Sequence, residues 1–301
     1  MSERKKVGVV ATIFAVLFCI FALLFGTVAG VIAAFRHMIS PEMMKKYIED
    51  IDLGEIILGD DRETVQTVAE FVYENIPQEV RESLQLALTQ TQELMEESYV
   101  KEFVYNKVED FVNDLYNQTG EGKVTPEEIT ECIRRCDREI YKLTGHEISE
   151  EELAIVQDSL EESGVLEKIS VDSLREEMPA IGLFFAVISY KTSTILAIIA
   201  LVMLLVTVLL NRFRIRSLFY IGGTFFLLGG IFLIFSTAAN ELGRMLREAL
   251  NFEFSLLGAP ITVLRSDFLT GGLSILGIGV VCIVVAVLYI LLRKNKIQNR
   301  S

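Results

Sequence analysis

Apolar residues fall along this chain in two regimes. In the first they run unbroken. Residues 7–35, 190–210, 217–240 and 269–292 carry no charged side chain apart from Lys191. A helix needs about 20 mostly apolar residues to cross about 30 Å of hydrocarbon, so each run predicts a membrane span. In the second regime, between the first two runs, apolar residues recur every three or four positions, the period of amphipathic helices. Val65, Val68, Val72 and Ile76 make one stripe, ended by Pro77. Val80, Leu84, Ala87, Thr91 and Leu94 make a second, and Val100, Val104, Val108, Phe111 and Leu115 lie on the strongest third.

Local signals punctuate these stripes. Ser40-Pro41 opens a first helix, and residues 117–122 read as a turn. Thr125-Pro126-Glu127-Glu128 is a capping box with proline at the first helical position. Ile129, Cys132, Ile133, Cys136 and Ile140 then share one face, up to a stop at Gly145. Ser149 with Glu152 caps the next helix, and a last one holds Leu166, Ile169, Leu174 and Met178. The segments opened by Thr125 and Ser149 look alike, as a short repeat would. Past the third run, Glu241 to Leu250 continues as an amphipathic helix, whereas 255–264, around Gly258-Ala259-Pro260, reads as an apolar loop.

The predicted fold is all-α: a four-helix transmembrane bundle with a large extracytoplasmic domain of five to seven helices inserted between spans one and two. The expected segments are a tail (1–6), span one (7–35), the domain (36–189), span two (190–210), a turn (211–216), span three (217–240), helix and outer loop (241–268), span four (269–292) and a second tail (293–301).

Charge orients this arrangement. Lys and Arg accumulate on the cytoplasmic side of spans. Here they cluster at Arg4, Lys5 and Lys6, at Arg212, Arg214 and Arg216, and at Arg293, Lys294, Lys296 and Arg300. Four spans bring all three clusters to one side, so both termini are expected in the cytoplasm of a cell-membrane, multi-pass protein. These clusters hold ten of the 28 Lys and Arg, and their segments hold one of the 41 Asp and Glu, which leaves the outer segments near −22. An acidic exterior repels nucleic acid and attracts cations or basic partners. The inner segments are too short for a nucleotide- or DNA-binding domain. A signal peptide's apolar region spans about 7–15 residues, far fewer than 7–35, so the first run is expected to stay as an anchor. Phe18 before Cys19 argues against lipidation there.

Candidate chemistry is sparse. Cys132, Cys136 and His146 lack a fourth metal ligand. Both cysteines lie on an apolar stripe and are expected to be buried free thiols, since adjacent turns of one helix hold sulfurs poorly for a mutual bond. With only two histidines, no nucleophile–base set is defensible, and no cofactor site is expected. Asp50, Asp52 and Gly54 lack the rest of a calcium loop. Asn117-Gln118-Thr119 is a glycosylation sequon only in a eukaryotic secretory route. The spans carry no ionisable residue at depth, and pumps and proton relays usually do. Thr27, Thr207 and Thr224 are expected to bond to their own helices. What the spans do carry is small residues. Ala22, Gly26 and Gly30 follow one another at helical steps, and Gly222, Gly223, Gly229 and Gly230 repeat at seven. Such residues let helices approach closely. Packing within the bundle is expected, with self-association as the second use.

The chain has no Trp, which separates it from claudin-like proteins, and it lacks the Cys-Cys-Gly motif of tetraspanin-like ones. Ile39-Ser-Pro-Glu-Met43, the run from Tyr47 to Leu53 and Val124-Thr-Pro-Glu-Glu-Ile129 carry a resemblance. With these elements the chain resembles uncharacterised four-span membrane proteins of Gram-positive, clostridia-like bacteria, and the resemblance implies no activity. The expected function is therefore that of a non-enzymatic membrane protein. It presents an acidic helical domain outside the cell, for binding or scaffolding an envelope partner or a second copy. The alternative is a transport component with an acidic, cation-collecting vestibule.

Overall fold

The computed structural model describes residues 2–49, 51–58, 66–212, 214–250 and 255–298. Among the described residues it is helical apart from turns, a two-residue antiparallel pairing of Ile57 with Thr67 and Leu58 with Gln66, and an isolated antiparallel bridge between Lys123 and Ser170. The chain divides into two compact units, one made of 1–38 with 187–301 and the other of 39–186.

The first unit holds four helices long and apolar enough to cross a membrane, within Ser2–Met38, Tyr190–Leu210, Arg216–Leu250 and Ser255–Gln298. The first packs chiefly on the second and the third on the fourth, while first against third joins the two pairs. Ala34, Leu228, Phe232, Leu264 and Phe268 form the core where the first, third and fourth helices meet.

The third helix runs on to Leu250, as its pattern predicts; the side chains of Leu242, Met245, Leu246 and Leu250 lie outside the described residues. The fourth differs from expectation. Residues 255–264 are helix, not loop, and Pro260 sits inside the first turns. Proline there costs one backbone hydrogen bond and crowds the preceding turn. Burying Leu264 and Phe268 against Phe232 and Leu228 offsets that, so packing overrides the Gly-Ala-Pro turn signal.

The second unit contains more and shorter helices than the stripes imply. In order these are Pro41–Glu49, Val68–Asn75, Gln78–Ser83, Leu88–Met95, Ser98–Asn117, Pro126–Arg135, Asp137–Thr144, Glu150–Ser163, Val165–Lys168, Val171–Glu177 and Pro179–Val187, the last ending at the boundary. The stripe from Val80 to Leu94 breaks at Gln85, which takes a left-handed backbone (φ 49°) so that Leu84 and Leu86 both turn inward. The stripe from Ile129 to Leu143 breaks at Cys136. Val65, at the head of the first stripe, lies outside the described residues.

The capping boxes form as read. Thr125 Oγ1 accepts from Glu128 N at 3.4 Å, and Thr125 N donates to Glu128 at 3.0 Å. Two cores hold the unit. One gathers Val80, Leu84, Leu86, Cys136, Ile140 and Val156; the other gathers Ile48, Leu53, Ala69 and Met95.

Candidate functional site

Charge marks the second unit. Residues 39–186 hold 13 Lys and Arg against 36 Asp and Glu, a net charge of −23. The unit carries a groove of about 430 Å³ between the helices Ser98–Asn117 and Pro126–Arg135. Tyr99, Phe103 and Cys132 give it apolar surface, and Glu102, Asp110, Glu127, Glu128 and Glu131 give it charge.

Lys107 lines it too, 2.6 Å from Glu128 and 2.9 Å from Asp110. Burial acts to lower the Lys107 pKa, but the two carboxylates outweigh it and raise the value. Burial acts to raise that of Glu128, yet Lys107 and the Thr125 backbone hold it below the ordinary range. Arg134 links the groove's Glu131 (2.8 Å) to Glu150 (2.9 Å).

A second cluster assembles residues far apart in sequence. The Glu152 carboxylate accepts from Ser83 Oγ, from Ser149 N at 2.8 Å and from Ser149 Oγ at 2.7 Å, and stands 3.4 Å from His146 Nε2. Burial alone would raise its pKa, but these hydrogen bonds and His146 hold it at about 2. In a nucleophilic triad the imidazole lies between hydroxyl and carboxylate. Here the carboxylate lies between the other two, so the hydroxyl has no base and the cluster serves as a joint. His146 thus sits with Glu152 rather than completing a metal set with Cys132 and Cys136. Among the described residues no group of three or more His, Cys, Asp or Glu is arranged to hold a metal ion.

Comparison with protein-family models, with curated proteins and with solved structures finds no match for this chain. Its chemistry therefore has to be read from its own residues.

The remaining sequence candidates have plain structural places. Asp52 Oδ1 accepts from the backbone of Gly54 and Glu55, a turn, while Asp50 lies outside the described residues. Asp114, almost wholly buried, accepts from Gly122 N at 3.0 Å and pairs with Arg175 at 3.5 Å. It locks the 117–122 turn to the helix Val171–Glu177.

In the four-helix unit, a Cβ on Gly222 would lie 3.0 Å from Gly279 O. One on Gly229 would lie 2.7 Å from Gly272 O and 2.6 Å from Leu276 N. These are two backbone-to-backbone seams between the third and fourth helices. A Cβ on Gly26 would lie 3.2 Å from the Leu228 side chain, one on Gly30 would run into the Phe232 ring, and Ala22 is buried with Ala200 and Leu204. A Cβ on Gly223 or on Gly230 would meet no neighbouring element within 4 Å.

Thr27, Thr207 and Thr224 each donate to the carbonyl four residues back. Ser193 Oγ reaches Ala29 O at 2.9 Å, and Ser236 Oγ reaches Arg265 O at 3.1 Å, each tying two helices together. His37 Nδ1 and Asp267 Oδ2 lie 2.7 Å apart, a hydrogen bond between the end of the first helix and the fourth. Sequence reading missed this pair because it placed Asp267 in a loop. The amphipathic register continuing upstream from residue 269 through Phe268 and Leu264 is the signal that could have found it.

Proposed function

We propose that this chain is a non-enzymatic, multi-pass protein of the cell membrane. Its acidic helical unit, held outside between spans one and two, binds or scaffolds a basic envelope partner. The observation that carries this reading is the separation of charge. A unit of net −23 with its own cores is inserted into a chain whose short inter-span flanks are basic. A surface of one sign draws in partners of the other and raises their encounter rate.

The four helices fit an anchoring role. Their buried threonines spend their hydroxyls on their own helices, and their closest approaches are glycine seams. Hydroxyls so engaged lend no support to a hydrated path.

The test pairs two measurements on the full chain. A photoreactive residue replacing Glu127 should give a discrete crosslinked partner in native membranes. Its yield should fall when Glu102 and Glu131 are changed to Lys. Liposomes bearing the purified chain should pass monovalent cations no faster than empty ones. Flux that depends on the protein, with no crosslink, would make transport the better reading.

A further inference from the structure

Cys132 and Cys136 take no part in the partner-binding reading. The helix Pro126–Arg135 ends one residue before Cys136, whose backbone leaves the helical region (φ −87°, ψ 2°), and a new helix begins at Asp137. Cys136 N still donates to Cys132 O at 3.2 Å. One helical turn therefore separates the two Cα atoms, about 6 Å, which lies inside the range that disulfides bridge. In an uninterrupted helix the Cβ atoms of such a pair stand about 5–6 Å apart, too far for the roughly 3.5–4.5 Å a disulfide needs. The break at Cys136 changes this, because its Cβ can swing inward by adjusting a helix end rather than by unwinding a helix middle.

The two thiols also differ in surroundings. Both were expected to be buried, yet only Cys136 is. Cys132 is partly exposed and lines the groove. The neighbouring Cys136 thiol and the nearby Arg135 charge lower the Cys132 pKa against the opposing effect of burial. The neighbouring Cys132, burial, and the carboxylates of Glu139 and Glu97 raise that of Cys136. The nucleophilic form of cysteine is the thiolate, so the reachable sulfur is also the more reactive one.

We propose that Cys132 and Cys136 form a redox-active dithiol, which small disulfides entering the groove oxidise to an intramolecular disulfide. The Cys132 thiolate attacks one sulfur of R–S–S–R. A Cys132–S–S–R bond forms and one RS⁻ departs. Cys136 then loses its proton to solvent and attacks the Cys132 sulfur. The Cys132–Cys136 bond forms and the second RS⁻ leaves. Two protein thiols are oxidised as one external disulfide is reduced to two thiols. Because the bond must draw in the helix end, it is readily reduced again. The groove sets the preference among disulfides. Five carboxylates line it against Lys107 and Arg135, so a dicationic disulfide such as cystamine should outpace anionic oxidised glutathione by about tenfold or more.

The experiment treats the purified full chain in detergent with cystamine, then maps tryptic peptides by mass spectrometry under native and reduced conditions. Cleavage after Arg134 and Arg135 separates the two cysteines, so a bond between them leaves two peptides linked. The wild-type chain should yield the linked pair without retained cysteamine. Cys136→Ser should hold one cysteamine on Cys132, and Cys132→Ser should leave Cys136 unmodified until denatured. Adducts retained on both cysteines of the wild type would overturn the proposal. So would modification of Cys136 in Cys132→Ser at the wild-type rate, or unreacted thiols throughout. An equal rate with oxidised glutathione would overturn the groove's part in it.

Discussion

Glu152 does more than its place in a helix cap implies. It closes the cap with Ser149 and also fastens the helix Glu150–Ser163 to Ser83 and His146. Its carboxyl sits at about 2 against an ordinary 4.5. A depressed carboxylate stabilises the fold above its unfolded value, and that contribution disappears as pH falls through the folded one. The window is therefore about pH 4.5 down to about pH 2, and the full effect is on the order of 3 kcal/mol. Glu152→Gln should lower the melting temperature of the acidic unit markedly at pH 7 and hardly at all near pH 2. Equal losses at both would refute the linkage. Half of this arrangement was legible in sequence. The Ser149-to-Glu152 spacing announces a capping box, because both partners lie within one turn. Ser83 was not legible, since it lies 69 positions away and only the packing of two helices brings it close. Cys136 shows the same limit. Periodicity placed it on a buried face, and burial followed, but the helix break beneath it has no signal in the apolar spacing.

Among elements, the third and fourth of the long apolar helices illustrate what hydropathy can and cannot supply. Length and apolarity reveal four such helices because water-to-lipid transfer depends on composition alone. The rotational phase of each helix depends on its neighbour. Sequence therefore offered Gly222 with Gly223 and Gly229 with Gly230 as equals, yet one of each pair faces the fourth helix and the other faces open space. Gly229→Ala would press a methyl group into backbone at 2.6–2.7 Å. Relief requires moving a whole helix, and overpacking of this kind costs about 1–3 kcal/mol. Gly230→Ala meets nothing and gains helix propensity, about 1 kcal/mol in soluble hosts. In detergent melts the first variant should unfold several degrees below the wild type and the second at or above it. Matching behaviour would mean that the seam is not where it is drawn.

For the whole molecule, the order of units along the chain was readable, because continuous apolar runs give way abruptly to amphipathic ones near residues 36 and 189. The number of helices between them was not, since short helices such as Val165–Lys168 and Val171–Glu177 end at residues that sit as comfortably inside longer ones. Sidedness rests on the basic clusters. In a background lacking the four native cysteines, Glu121→Cys should react with an impermeant thiol reagent added to intact cells, and Arg214→Cys only after permeabilisation. Labelling of Arg214→Cys from outside would invert the arrangement.

The pairing of helices carries a consequence in time. The third and fourth are neighbours in sequence, but the first finds its main partner only after residues 39–189 have been made. At about 5–20 residues per second, that interval is roughly 8–30 seconds. Throughout it Ala22 lacks its neighbours Ala200 and Leu204, and Gly26 and Gly30 wait longer still for the third helix. A nascent chain in that state presents a bare docking face to every other helix being inserted nearby. If the first helix is inserted before its partner exists, shielding it during that interval should raise the yield of correctly assembled protein without changing the stability of the finished one.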